Sequence, residues 1–290
     1  MRPIIFYNHF HNGDLFNSKA FVSEIMENVP VQFFYAHNKS EKILQDLNLV
    51  QIKLQQIFPL TPNDQKCRII SAENAVLINT WIGCYFEPDG ECTLRFSYGM
   101  YEKIYNDINN MYGTNLKLKD AIKYFPSVDY TKFDLQKTNE FLNTASKRKV
   151  LYSNGPALSG QCIYNGDMRE IIELIADEHT DICFIVTHKF NTNRKNIFFT
   201  EDIIGSNECD LNEISYLSSH CELIVGRSSG PFSFSCTKQN MMDEDKTFLC
   251  FGNKITDCFQ YGTDTKAKFV FEKFSNMENL YSSIKKEIND

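Results

Sequence analysis

The chain of 290 residues lacks a long apolar segment and has no excess of positive charge. A membrane-spanning helix needs about 20 consecutive apolar residues, and no segment of the sequence approaches that length. Lys and Arg number 30 against 37 Asp and Glu, a formal net charge of −7, whereas non-specific nucleic-acid binding requires a basic surface. We therefore expect neither a transmembrane segment nor a nucleic-acid partner.

The cysteines lack the spacing of a disulfide framework or a zinc site. Ten cysteines are scattered along the chain without a CxxC pair. The nearest metal-like pair is His220-Cys221, whose adjacent side chains would point in different directions on a helix. The early apolar stretch, Ile4–Tyr7, is shorter than a signal peptide requires. We therefore predict reduced thiols, no metal site and a cytoplasmic location.

What the sequence does contain is typical of a folded protein with two domains. Apolar residues make up 42% and charged residues 23%, which is ordinary globular usage. At about 150 residues per domain, the length favours two domains. A polar, basic segment at residues 143–149 is the candidate linker, so we predict domains at 1–145 and 146–290.

Apolar runs of strand length alternate with helical periodicity in both halves, a pattern typical of parallel sheets covered on both faces. The predicted fold class is α/β, with two doubly wound, Rossmann-like domains facing a cleft. The last predicted helix could pack back on the first domain. Predicted strands lie at residues 3–8, 31–35, 68–70, 75–78, 149–153, 182–187, 197–200, 221–225, 247–251 and 268–271, and predicted helices at 18–30, 40–49, 98–112, 133–145, 168–176, 210–219 and 277–288.

The polar loop after the first strand contains candidate acid–base residues, since ligands of open parallel sheets lie beyond the carboxyl ends of the strands. Gly13 permits a tight turn, and Asp14 would present a carboxylate beside Asn12. His11 is an alternative base or could orient an acceptor. Equally, Asp14 could merely cap the helix or favour its dipole, and His11 could be merely solvated.

A second loop, after the strand at 221–225, has the composition of a phosphate cradle. Ser228, Ser229 and Gly230 allow close backbone approach before a helix amino terminus, and Arg227 is a planar cationic donor suited to phosphate. The loop lacks both GxxxxGK[ST] and GxGxxG. The alternative is a serine-rich turn with Arg227 in a surface ion pair.

A third group follows the strands at 149–153 and 182–187. Asn154 and Gly155 begin the loop 154–160, and Lys189 comes directly after a strand, where its ammonium could neutralise a diphosphate. Taken singly, Lys189 is better explained as a surface lysine.

The HNGD stretch at residues 11–14 and DLNEISYLSSHCELIVGRSSGP at residues 210–231 resemble the GT-B glycosyltransferases, most of all the heptosyltransferase group. The resemblance implies that Asp14 is the base that activates the acceptor hydroxyl. It also implies that the donor diphosphate lies on the helix that begins at Ser229-Gly230-Pro231. The chain departs from the family at Ser228, where aspartate is common, and at Ser233, where histidine is common.

If the resemblance holds, an acceptor hydroxyl displaces the diphosphate of a nucleotide sugar with inversion. The acceptor is a carbohydrate or glycoconjugate, and no metal or other cofactor is needed. Arg227, Lys189 and the turn 228–230 would stabilise the leaving group. The acidic cluster at residues 243–245 is predicted to be a solvated surface loop. Asn79 and Trp81 are expected on the acceptor side, although Trp81 is equally suited to core packing.

Three other classes remain open from the residues. A non-catalytic nucleotide or sugar-phosphate binder would keep the phosphate loop without depending on Asp14. A nucleotide-sugar hydrolase or epimerase would react without an acceptor. A cysteine-nucleophile enzyme is a further alternative, although no cysteine lies beside a predicted strand-end histidine in the sequence.

Overall fold

A computed structural model describes residues 1–57, 69–81, 94–145, 148–157, 162, 164–205, 209–258, 260 and 263–290. The chain divides into two compact units. The first comprises Met1–Ser127 with a short stretch around Gln260, and the second comprises Val128–Cys258 and Thr265–Asp290. The boundary thus falls before the one expected at residue 145. Residues 128–145 belong to the second unit, where the Tyr130 hydroxyl lies 2.9 Å from the Ser215 hydroxyl.

In the described residues, the first unit is built on a five-stranded sheet in the order β3-β2-β1-β5-β4. β4 runs antiparallel to β5, and the other neighbours are parallel. Short 3-10 turns lie at Glu41–Leu44, Leu54–Gln56 and Ala121–Tyr124. The elements are β1 (Ile4–Tyr7), α1 (Asn12–Asn28), β2 (Phe33–Ala36), β3 (Val50–Ile52), β4 (Ile69–Ser71), β5 (Val76–Asn79) and α2 (Leu94–Tyr112).

Helix α1 begins at Asn12, six residues before the predicted cap at Ser18. The Asp14 carboxylate accepts a hydrogen bond from the His11 backbone N–H at 3.0 Å, which satisfies a donor at the helix start. Leu15 is completely buried, so the polar-looking segment contributes to the core. The prediction of a loop extending to Ser18 is wrong because polar composition concealed this local capping.

A buried ion pair holds α1 in place. Lys19 Nζ lies 2.6 Å from Asp46 Oδ1, and the two side chains are only 1% and 3% exposed. Breaking such a pair leaves an uncompensated buried charge and costs about 3–5 kcal/mol. The pair therefore fixes the helix that carries Asp14 against the segment following the 3-10 turn Glu41–Leu44.

In its described residues, the second unit contains a six-stranded parallel sheet in the order β11-β10-β9-β6-β7-β8. Its 3-10 turns are Tyr130–Lys132 and Ile255–Asp257. The strands are β6 (Lys149–Ser153), β7 (Cys183–Val186), β8 (Ile197–Phe199), β9 (Leu223–Arg227), β10 (Thr247–Gly252) and β11 (Lys268–Lys273), and the helices are α3 (Gln136–Thr144), α4 (Arg169–Glu178), α5 (Thr200–Ile204), α6 (Leu211–Ser219), α7 (Gly230–Ser235), α8 (Lys238–Met241) and α9 (Met277–Asn289).

The last helix, α9, packs in the core of the second unit. Leu280, Ile284 and Ile288 are buried in the same apolar cluster as residues of α4, β9 and β10. The α/β class is confirmed, and so are the parallel sheets, apart from the antiparallel β4 in the first unit. β3, α5 and α8 are additions that the sequence did not predict, and β9 extends past its predicted end at residue 225 to include Arg227.

None of the helices in the described ranges combines the length and the apolarity that crossing a membrane would require.

Candidate ligand-binding and catalytic sites

The first sheet has a topological switch point between β1 and β5. The chain leaves β1 toward β2 on one side and later places β5 on the other; in open α/β sheets, ligands bind where the strand order reverses in this way. The Asn8 amide donates to the Thr80 hydroxyl at 3.3 Å. The rings of Phe10 and Trp81 stack with centroids 3.7 Å apart at 21°. The structure therefore brings the predicted loop after β1 together with Trp81.

A chain of buried hydroxyl groups supports this switch point. The Tyr35 hydroxyl lies 2.6 Å from the Thr80 hydroxyl and 2.9 Å from the Ser18 hydroxyl. Burial raises the pKa of Tyr35 to about 12, so its phenol stays neutral. Sequence reasoning did not single out Tyr35 and Thr80; for Thr80 the available signal was a polar side chain directly after an apolar strand.

Asp14 lies in the first turn of α1 and is partly buried. Burial raises the pKa of its carboxyl above the ordinary value, and the hydrogen bond from the His11 N–H works in the opposite direction. The capping alternative is thus observed, and the role as a base stays a prediction. Asn12 and Gly13 form the same first turn, whereas His11 is exposed just before it.

Asn79 is buried, and its side-chain oxygen accepts a hydrogen bond from the Trp81 backbone N–H at 3.0 Å. Asn79 thereby shapes the turn that presents the indole. One face of Trp81 packs on Phe10. The expected contacts of Asn79 and Trp81 with an acceptor stay predictions.

The second sheet has its switch point between β6 and β9. Gly226 faces Ser153 across these strands, and a Cβ atom on Gly226 would lie 2.6 Å from the Ser153 Cβ. The Ser153 hydroxyl is 3.0 Å from the Ser229 hydroxyl. Close strand approach therefore fixes the turn of Ser228, Ser229 and Gly230, all partly exposed, against the end of β6.

The turn leads directly into α7, which begins at Gly230 with Pro231 in its first turn. The first backbone N–H groups of a helix have no intrahelical acceptor, and proline is well suited to this position. The predicted passage from strand through a small-residue turn into a helix is confirmed, although α7 is only six residues long.

Asn154 joins the loops after β6 and β7. Its amide nitrogen donates to the His188 carbonyl at 2.9 Å, and its side-chain oxygen accepts from the His188 N–H at 2.7 Å. Beside it, a Cβ atom on Gly155 would meet nothing within 4 Å. Lys189 forms an exposed ion pair with Asp202 at 2.6 Å, which raises the pKa of Lys189. These three predicted residues thus lie at the carboxyl end of the second sheet.

Arg227 does not form the surface ion pair that was the alternative expectation, and its role as a phosphate ligand stays a prediction. It is the last residue of β9 and is completely buried. Its guanidinium donates hydrogen bonds to four backbone carbonyl groups of the second unit. The extension of β9 by two residues draws this side chain into the unit instead of leaving it in a loop.

No group of three or more His, Cys, Asp and Glu within the described residues could hold a metal ion. The cysteines that the structure describes are free thiols, and all but Cys209 are buried. Cys67, Cys84 and Cys92 lie outside the described residues.

No protein-family model matches the chain, and no curated protein matches it in sequence. Solved structures match it over nearly its whole length, and they define the fold as that of the GT-B glycosyltransferases. The predicted fold resemblance is confirmed.

Three structures illustrate the similarity. A glycosyltransferase family 9 protein from Veillonella parvula has a TM-score of 0.53 and 11% identity, with 98% of this chain and 89% of that chain covered. The Escherichia coli ADP-heptose lipopolysaccharide heptosyltransferase II has a TM-score of 0.52 and 9% identity, with coverage of 100% and 99%. The E. coli heptosyltransferase WaaC with ADP has a TM-score of 0.51 and 10% identity, with coverage of 99% and 97%.

Proposed function

We propose that the chain is a glycosyltransferase that moves a sugar from a nucleotide-sugar donor to a hydroxyl group of a carbohydrate or glycoconjugate. The observation that carries this proposal is the turn of Ser228, Ser229 and Gly230, held at the switch point of the second sheet by the close approach of Gly226 to Ser153. The GT-B fold supports the same class of reaction. A cytoplasmic site of action stays a prediction from the sequence.

The donor diphosphate would lie on the turn that leads into α7. Serine hydroxyls and the first backbone N–H groups of a helix are suitable donors to phosphate oxygens. Lys189 contributes a cation at the same end of the sheet, although part of its charge is already balanced by Asp202. These groups can stabilise a leaving diphosphate without a metal ion or another cofactor.

Asp14 is the proposed general base. It takes the proton from the acceptor hydroxyl while that oxygen forms a bond to the anomeric carbon of the donor. The bond from this carbon to the diphosphate oxygen breaks, its electron pair leaves with the nucleoside diphosphate, and the anomeric configuration inverts. A raised pKa makes the ionised Asp14 a better proton acceptor.

Acceptor recognition is assigned to the residues around Asp14. Trp81 offers an aromatic surface of the kind on which sugar rings pack, and Asn79 fixes the turn that presents it. His11 is the alternative base, and Asn12 and Gly13 line the same first turn of α1.

The test has two stages. A thermal-shift screen against nucleoside diphosphates and nucleotide sugars, with and without EDTA, identifies the donor, since a ligand at 100 times its Kd adds about 2.7 kcal/mol to the free energy of unfolding. The identified donor is then incubated with a panel of glycan acceptors, and the product anomer is assigned by NMR. We expect an EDTA-insensitive shift and an inverted product.

Asp14→Asn tests the base while preserving the cap, because the asparagine side-chain oxygen can still accept a hydrogen bond from the His11 N–H. We expect it to abolish transfer and leave the donor Kd within a few-fold of wild type. Full transfer by Asp14→Asn would contradict the proposed base. Nucleoside diphosphate release that needs no acceptor would indicate the hydrolase, and donor binding without turnover would favour the non-catalytic binder.

A further inference from the structure

Arg227 connects the end of β9 to two other segments of the second unit. Its Nη1 atom donates to the carbonyl oxygens of Asn154 at 2.6 Å and Gly155 at 3.0 Å. Its Nε atom donates to the Tyr164 carbonyl at 2.9 Å, and its Nη2 atom donates to the Gly166 carbonyl at 2.6 Å. One planar group therefore holds both the loop after β6 and the segment 164–166.

Aromatic rings complete the surroundings of this guanidinium. Its central carbon lies 5.6 Å from the Tyr164 ring centroid and 5.5 Å from the Phe251 ring centroid. Tyr164 in turn stacks on Phe274 at 4.2 Å. Burying a charge is costly unless its hydrogen-bonding groups are satisfied, and here carbonyl groups and ring faces serve that purpose.

We infer that Arg227 is a positioning residue that shapes the donor site through the backbone carbonyls of Asn154, Gly155, Tyr164 and Gly166 and does not contact the donor phosphates. This inference rests on the proposed function. Its geometric basis is that the side chain is completely buried, while the residues immediately after it, Ser228 and Ser229, form the partly exposed turn. The planar fork is essential to this role, since it must reach several carbonyls at once.

The substitutions Arg227→Lys and Arg227→Met separate positioning from phosphate contact. Lysine keeps the charge and would preserve much of a phosphate contact, because an ammonium also binds phosphate as a point charge. It cannot reproduce the fork. We therefore expect both variants to weaken nucleotide binding by about tenfold or more. The Kd values for AMP, ADP, UMP and UDP give the measurement.

The ratio of diphosphate to monophosphate affinity is the diagnostic quantity. Positioning predicts that each variant keeps the wild-type ratio within about twofold, since the whole site is perturbed. A direct contact predicts that Arg227→Met loses affinity selectively for the diphosphate, whereas Arg227→Lys keeps the affinity for the diphosphate. This result would overturn the inference. Arg148→Met is the matched control, because Arg148 pairs with Glu222 at the amino-terminal end of the sheet.

Hydrogen exchange tests the positioning role without any ligand. We expect Arg227→Lys to accelerate amide exchange in peptides covering residues 154–157 and 164–166, while β7 exchanges as in wild type. Unchanged exchange in both loop peptides would overturn the inference even if nucleotides bind. Faster exchange with no nucleotide binding by the wild type would instead support positioning and contradict the proposed function.

Chemical modification of the wild-type chain covers the case in which the variants do not fold. Phenylglyoxal reacts with accessible guanidinium groups, and modified residues are identified by mass spectrometry. We expect Arg227 to remain unmodified in the native chain while the half-exposed Arg148 reacts. Modification of native Arg227 that ADP or UDP suppresses would overturn the inference.

Discussion

Asp14 shows how a single carboxylate can serve both structure and chemistry. One oxygen caps the first turn of α1 by accepting the His11 N–H, which also fixes the orientation of the carboxyl group. Burial withdraws water and raises its pKa. A carboxylate held rigidly and made more basic is well suited to general base catalysis.

The raised pKa of Asp14 predicts the pH dependence of transfer. The base must be ionised, so kcat/KM should rise with pH through a pKa above the ordinary aspartate value of about 3.9. A pH–rate profile measures this acid limb. An acid limb with an apparent pKa at or below the ordinary aspartate value would contradict either the role of Asp14 as the base or its burial.

The same shift carries a stability consequence of defined sign. Because the folded-state pKa is the higher one, the native chain binds more protons through Asp14 than the unfolded chain does. Its contribution to stability therefore falls as pH rises from the unfolded pKa through the folded pKa. The free energy of unfolding of Asp14→Asn should lack that component, which pH-dependent urea unfolding of both chains would reveal.

Trp81 offers a second test at the level of a single residue. We expect Trp81→Ala to raise the acceptor KM by about two- to tenfold, the range of an aromatic stacking contribution, with the donor Kd unchanged. Trp81→Phe keeps a ring that can stack on Phe10 and should recover part of the effect. A change in donor affinity without a change in acceptor KM would argue that Trp81 has only a packing role.

At the scale of elements, the close approach of β6 and β9 determines where the phosphate turn lies. We expect Gly226→Ala to destabilise the second unit by about 1–3 kcal/mol, because the new methyl group would overpack against Ser153. Urea unfolding measures the change. Gly155→Ala is the control, since its Cβ atom would meet no heavy atom within 4 Å. An equal decrease in the free energy of unfolding of the two variants would contradict the explanation by strand contact.

Elements also show where sequence reasoning succeeds and where it fails. The strand at residues 149–153 is predicted to its exact bounds, since a continuous apolar run between polar segments is a strong signal. The sequence predicts a loop at residues 12–18 because their polarity hides a cap formed by Asp14. It predicts that β9 ends two residues early because glycine and arginine are unusual in a buried strand. Only the contact with Ser153 and the surrounding carbonyl groups accounts for them there.

At the scale of the whole molecule, the two units should respond differently to the donor. We expect a bound nucleoside diphosphate to slow hydrogen exchange at residues 153–157, 187–189 and 226–232 of the second unit. Residues 8–14 of the first unit, which follow β1 and begin α1, should change little until an acceptor is added. Protection confined to the first unit would contradict the assignment of the donor site.

The sequence by itself determined the α/β class, the alternation of strands and helices and the polar loops that follow the strands, because these depend on local periodicity and composition. Only the tertiary structure decided which loops meet. Strand order places the ends of β1 and β5 together and the ends of β6 and β9 together, and no local pattern encodes such pairing. It also decided that Arg227 is buried, since its partners are carbonyl groups 61 to 73 residues away along the chain.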